Sequence, residues 1–225
     1  MSRHSKPHLR CGECRMHLSL CICALLPRIE TRTRVVLIIH QLESLKPTNT
    51  GVVAARCLPN SAIVYRGRPP EPGGASMTGD APTLSAAGAQ RLMLFPHATA
   101  TPLEDWRGSA EPIALLVPDG TWRQAGRTRT QLAAQLGDIP CVSLPAAPAQ
   151  KRLRNSFASQ HLATLEAVAL ALGILEGPDV ERELLRVYRI MTDRTLWSNG
   201  RVTADEVTGG IPPGVRSHDP LSTGR

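Results

Sequence analysis

Ile113-Ala114-Leu115-Leu116-Val117 is a short, wholly apolar run, and the chain changes character directly behind it. Pro118-Asp119-Gly120-Thr121-Trp122 follows, and a polar stretch with helical spacing then continues to about Leu136. A brief apolar run closed by turn residues reads as a buried strand, here expected to stop at Pro118. Thr121 has the hydroxyl of a helix N-cap, so a helix is expected to start beside it. A strand that hands over to a helix within four residues is the repeating unit of α/β sheets. In open sheets of that kind, ligands sit in the crevice outside the carboxyl ends of the strands. Asp119, Gly120, Thr121 and Trp122 should therefore face such a crevice.

The same alternation recurs elsewhere. Arg34 to His40, Ser61 to Tyr65, Arg91 to Phe95 and Cys141 to Leu144 read as further strands. Thr50 to Leu58, His161 to Leu175 and Asp179 to Trp197 carry helical spacing. The expectation is α/β with a mainly parallel sheet. Between Gly67 and Gly88 the chain is rich in Pro, Gly and small residues and should form a long surface loop. Residues 201–225 lack periodicity and are expected to be a flexible tail. Three parts result: an N-terminal module over 1–30, a catalytic domain over 31–200, and the tail.

Cys11, Cys14, Cys21 and Cys23 stand within thirteen residues as C-x2-C-x6-C-x-C. Four thiolates suit tetrahedral zinc, which accepts sulfur without redox chemistry. An iron–sulfur cluster uses the same ligands, and disulfides require an oxidising compartment. Structural Zn2+ is the favoured reading. A module this short lacks a core of its own, so the metal would supply its folding energy. No run of 18 apolar residues exists, and Met1 to Arg10 lacks the apolar centre of a secretory signal, so a cytoplasmic protein is expected.

The formal charge is +7, and of 26 basic residues only Lys6, Lys46 and Lys151 are lysines. Such a balance favours an anionic partner, and the arginine fork matches phosphate. A GC-rich genome would enrich arginine equally well.

Three more segments accompany 118–125: His40-Gln41-Leu42-Glu43-Ser44-Leu45-Lys46-Pro47-Thr48-Asn49-Thr50-Gly51, then Arg152-Leu153-Arg154, then Ala163-Thr164-Leu165-Glu166-Ala167. With the cysteine cluster before them, and in this order, they resemble the DTW-domain proteins, the tRNA-uridine aminocarboxypropyltransferases, over roughly residues 10–195. The resemblance implies a SPOUT-like fold with helices on both faces of the sheet and a C-terminal trefoil knot around the S-adenosylmethionine site. It implies transfer of the 3-amino-3-carboxypropyl group of S-adenosylmethionine to N3 of a tRNA uridine, with release of 5′-methylthioadenosine.

That reaction gives the residues roles. N3 carries a proton and is a weak nucleophile until a base removes it, and Asp119 at the strand end is the first candidate; Glu43 is the second. Asn49, Thr50 and Gly51, with Gly120, Thr121, Trp122, Leu153, Thr164 and Glu166, are the candidates for holding S-adenosylmethionine. Lys46, Arg123, Arg152 and Arg154 are the candidates for tRNA contact. Helix capping explains Thr50, Thr164 and Glu166 equally well, and the Trp122 ring either stacks on a ligand or packs inward. Related sequences often carry Tyr where Lys151 stands, which puts an aromatic contact there in doubt. Two other readings stay open: a SPOUT-type RNA methyltransferase, and a zinc-containing RNA-binding protein without catalysis.

Overall fold

The computed structural model describes residues 9–44, 46–67, 84, 88–145 and 162–215. Six strands, β1 (Arg34–His40), β2 (Ser61–Arg66), β3 (Gln90–Leu94), β4 (Thr101–Pro102), β5 (Ile113–Asp119) and β6 (Cys141–Ser143), form one sheet in the order β2-β1-β5-β3-β6-β4. Every pairing is parallel, as the strand–helix alternation required. The helices are α1 (Gln41–Ser44), α2 (Gly51–Cys57), α3 (Trp122–Leu136), α4 (Thr164–Leu175) and α5 (Pro178–Ser198).

Side chains alternate across a strand, and the alternation here divides two cores. Val35, Leu37 and Ile39 of β1, with Leu115 and Val117 of β5, point into a large cluster built with α2, α4 and α5. Val36 and Ile38, with Ala114 and Leu116, point the other way, toward Leu132 of α3 and Ile139. The sheet is thus covered on both faces, and β1 from Val35 to Ile39 and β5 from Ile113 to Val117 are apolar without alternation because neither face is wet. On the larger face α4 and α5 approach closely at Gly173, where a Cβ would stand 2.9 Å from that of Glu181.

Three details depart from expectation. β5 runs through Pro118 to Asp119, pairing Ile38 with Pro118 and Ile39 with Asp119. β3 ends opposite Leu116, so the N–H that proline lacks can fall on the side without a neighbouring strand. The two-residue β4 and the single turn α1 carry too few residues for periodicity to register. Residues 201–215, expected to belong to a flexible tail, pack back on α5: Val207 is buried, and Thr208 donates through its backbone N–H and its hydroxyl to Asp193. The cause lies in α5, whose buried Asp193 and Arg194 need polar partners. Residues 216–225 lie outside the described residues, as does most of the stretch between Gly67 and Gly88. So does the segment 146–161.

Candidate functional site

Asp119 closes β5, and three chain segments meet on its carboxylate. Asn49 donates from Nδ2 to Oδ2 at 2.7 Å, and the Thr164 hydroxyl donates to Oδ1 at 2.7 Å. Asn49 in turn accepts the Val52 N–H on Oδ1 at 3.0 Å. That bond caps α2 and leaves the amide nitrogen as the only group Asn49 can turn toward Asp119, so its orientation is fixed by the network. Gly51 makes the approach possible: a Cβ there would stand 2.7 Å from Asp119 Oδ2. Gly51 opens α2 and Thr164 opens α4, so the carboxylate lies where two helices present the positive ends of their dipoles.

The capping roles are exchanged relative to sequence order. Thr50 directly precedes α2 but makes no side-chain cap to it. Its hydroxyl instead accepts the Leu165 N–H of α4 at 3.1 Å, across 115 positions of sequence. Thr164, the first residue of α4, turns its hydroxyl to Asp119. Glu166 is fully buried, and its Oε2 accepts the Ala163 N–H at 3.2 Å. Glu166 therefore caps the helix, whereas Thr164 serves the site.

On the α3 side, Thr121 forms a reciprocal capping box with Gln124, giving bonds of 2.7 and 3.3 Å. Gly120 lies against Gln124 and His40: a Cβ there would meet the Gln124 Cβ at 3.1 Å and the His40 Cβ at 3.5 Å. Close approach, rather than a positive φ, is what favours glycine here. Trp122 is 48% exposed and belongs to neither core; its ring leans on Phe95 with centroids 5.8 Å apart and planes at 49°. The ring is therefore half in water, resting on a side chain at the edge of the smaller core. Phe95 carried no sequence signal, because its partner is one side chain on a distant helix.

Glu43 is buried on α1 and forms an ion pair with Lys46 at 2.5 Å. Two residues given separate expectations, acid–base work and RNA contact, are thus each other's partners. His40 ends β1, its Nδ1 accepting the Leu42 N–H at 3.2 Å and its ring beside Gly67. Arg66 stands opposite it in register at the end of β2, and partial burial pulls its guanidinium below the ordinary value. Arg123 is exposed on the first turn of α3. Arg152, Leu153 and Arg154, with Lys151, lie outside the described residues.

The four N-terminal cysteines converge. Their sulfurs all lie within 4.8 Å of one another, with Cys11 to Cys23 at 3.6 Å and Cys14 to Cys21 at 3.7 Å. Four ligands at ~2.3 Å around a tetrahedral ion stand about 3.8 Å apart, so the set fits a metal ion. Arg15 adopts a positive φ of 62° in the turn that brings Cys11 and Cys14 together. Burial pushes the Cys14 and Cys23 thiols upward when no cation is present, which is the desolvation a metal would offset. Arg194, buried on α5, holds this stretch in place by donating to the carbonyls of Cys21 at 2.8 Å and Leu20 at 3.4 Å. Cys14, Met16, Leu20 and Ile22 join the main core, so the stretch has no core of its own. No described helix is long and apolar enough to cross a membrane.

A parallel α/β sheet that gathers a held carboxylate, two helix N-termini and an exposed indole at its strand ends defines an α/β protein with a candidate site there. Its particular family follows from comparison with known sequences. The DTW domain model matches residues 8–196, and the chain belongs to that family. It is 28% identical over 203 residues to tRNA-uridine aminocarboxypropyltransferase 2 of Drosophila melanogaster, covering 86% of this chain and 77% of the relative. The protein of the same name from Mus musculus is 29% identical over 217 residues, covering 88% of this chain and 67% of the relative. No solved structure gives a significant match.

Proposed function

We propose that this protein is an S-adenosylmethionine-dependent tRNA-uridine aminocarboxypropyltransferase and that Asp119 is its catalytic base. The observation that carries the reading is the convergence of Asn49, Thr164 and Gly51 on the Asp119 carboxylate at the end of β5. A carboxylate offers about four lone-pair sites, and Asn49 and Thr164 take one on each oxygen. Held from both sides, the group has one orientation, which a base needs more than it needs an unusual pKa.

In this reading Asp119 takes the N3 proton of the uridine. The N3 lone pair forms a bond to the methylene carbon next to the sulfonium, the carbon–sulfur bond breaks, and its electrons remain on sulfur as neutral methylthioadenosine. The negative carboxylate also favours the cationic sulfonium over bulk water. In this reading Asn49, Gly51, Gly120, Thr121, Leu153 and Thr164 surround the donor, buried Thr50 and Glu166 fix the start of α4 behind them, and the C-terminal part follows the SPOUT-like, threaded arrangement. Cys11, Cys14, Cys21 and Cys23 hold Zn2+, which stabilises the fold and takes no part in the transfer.

The test is incubation of the protein with tRNA and S-adenosylmethionine labelled either in the carboxyl or in the methyl group. Carboxyl label should enter RNA while methyl label leaves as methylthioadenosine. Methyl label in RNA would instead make the protein a methyltransferase, and binding of tRNA without either transfer would make it a non-catalytic RNA-binding protein. Asp119→Asn should lower the transfer rate by about 10²–10⁴-fold.

A further inference from the structure

Arginine is distributed unevenly over the helices in a way that composition conceals. α5 carries Arg182, Arg186, Arg189 and Arg194 together with Asp179, Glu181, Glu183 and Asp193, so its formal charges cancel. Arg182 pairs with Asp179, Arg186 pairs with Glu183 and Arg194 is buried, which leaves Arg189, exposed and bonded to the Leu185 carbonyl, as the outlying cation of a helix whose net formal charge is zero. α3 carries Arg123, Arg127 and Arg129 and no acidic residue at all. Its inner face is set by Ala125, Thr128 and Leu132, which are buried against the sheet. Arg123 and Arg127 are one turn apart on the opposite, outer face; both are exposed, and neither forms an ion pair among the described residues. Arg129 lies to the side, near Cys141.

The strip leads to the site. Arg123 is four residues beyond Asp119, and half-exposed Trp122 stands between them, propped by Phe95. Uncompensated arginines in line, headed by an exposed aromatic ring, form the combination that binds a nucleic-acid strand: the cations take phosphates and the ring takes an unstacked base. An acidic peptide would match the arginines but gives no reason for a propped indole at the crevice.

We propose that the outer face of α3 is the RNA-docking surface of this protein, Arg123 and Arg127 holding the phosphates beside the target nucleoside and Trp122 stacking on a base drawn out of the RNA. The proposal rests on the reading of the strand-end site as one that modifies tRNA, and it adds the surface by which the RNA arrives.

The experiment measures tRNA binding by the full chain across a salt series. The double variant Arg123→Glu/Arg127→Glu should weaken binding at least tenfold at low salt. It should also flatten the plot of log K against log[salt] by about 0.7–0.9 for each phosphate no longer neutralised. The control, Arg182→Glu/Arg186→Glu on α5, should leave the slope unchanged, and circular dichroism melting confirms that each variant is folded. Trp122→Ala should lower single-turnover transfer more than it weakens binding, with Trp122→Phe restoring part of the rate. An α3 double variant that keeps the wild-type slope, or an α5 control whose slope flattens as much, overturns the proposal. A slope that flattens toward heparin but not toward tRNA overturns it too. If the wild-type chain binds no tRNA, the functional reading fails first; if it binds tRNA but is indifferent to α3, only the surface fails.

Discussion

The two faces of the sheet are made for different purposes. One carries α2, α4, α5 and the cysteine stretch over a single large apolar cluster, with the formal charges of α5 in balance and Arg182 and Arg186 in ion pairs. The other carries, among the described residues, α3 over a smaller cluster, and its outer surface is basic and unpaired. The strand-end site lies between them, its carboxylate held from the first face and its exposed indole supplied by the second. The held side chains are thus gathered around Asp119. Accessible charge is gathered on the outer face of α3.

The strongest way to break this comparison is to attack the first face at its metal site. Cys14→Ser, or removal of the metal by a chelator, should abolish stoichiometric metal binding and destabilise the whole fold by about 5 kcal/mol or more, because Cys14 is fully buried in the shared core. A chelated protein that melts unchanged would show that the cysteine stretch contributes nothing to that face. Gly51→Ala should come next. The new methyl group would press on Asp119 Oδ2, and a displaced carboxylate should lower transfer by about 100-fold while the protein stays folded; a near-wild-type rate would mean that the carboxylate need not be so closely held.

The second face should respond more mildly. Leu132→Ala removes a buried side chain and should cost about 2–5 kcal/mol by urea denaturation. Trp122→Ala should cost well under that, about 1 kcal/mol or less, because the indole is already half in water. Equal losses would mean that Trp122 is a packing residue after all. Near neutral pH no effect at all is expected from Cys57, whose thiol burial pushes up to about 12. A raised folded value leaves stability intact below the ordinary thiol range. As pH rises from about 9 toward 12 the unfolded chain ionises and the folded one does not, so stability should decline over that window. Native Cys57 should accordingly resist alkylation at pH 8, and rapid labelling would show that the first face opens readily.

The strands other than β4 were legible because apolar residues cluster in each between turn residues, and the strand-end carboxylate was legible because Pro-Asp-Gly-Thr closes one of those runs. The cysteine spacing likewise announced its convergence. What stayed hidden were relations between distant residues. Nothing local tells that Asn49 caps α2 so that Thr50 can cap α4, or that Thr164 turns to Asp119. The fate of Trp122 depended on Phe95, and that of 201–215 on buried charges a helix away. Lys46 and Glu43 carry the residue types of separate tasks, and only their proximity shows them to be a pair.

The exchanged caps of Asn49 and Thr50 bear on the order in which the molecule is made. A chain emerging from the ribosome completes β1, α2 and β5 well before Leu165 is added, and at that stage Asp119 has Asn49 but not Thr164, while Thr50 has no N–H of α4 to receive. The network around Asp119 closes only when α4 has been added, and the inner faces of β1 and β5 stay without its cover until then.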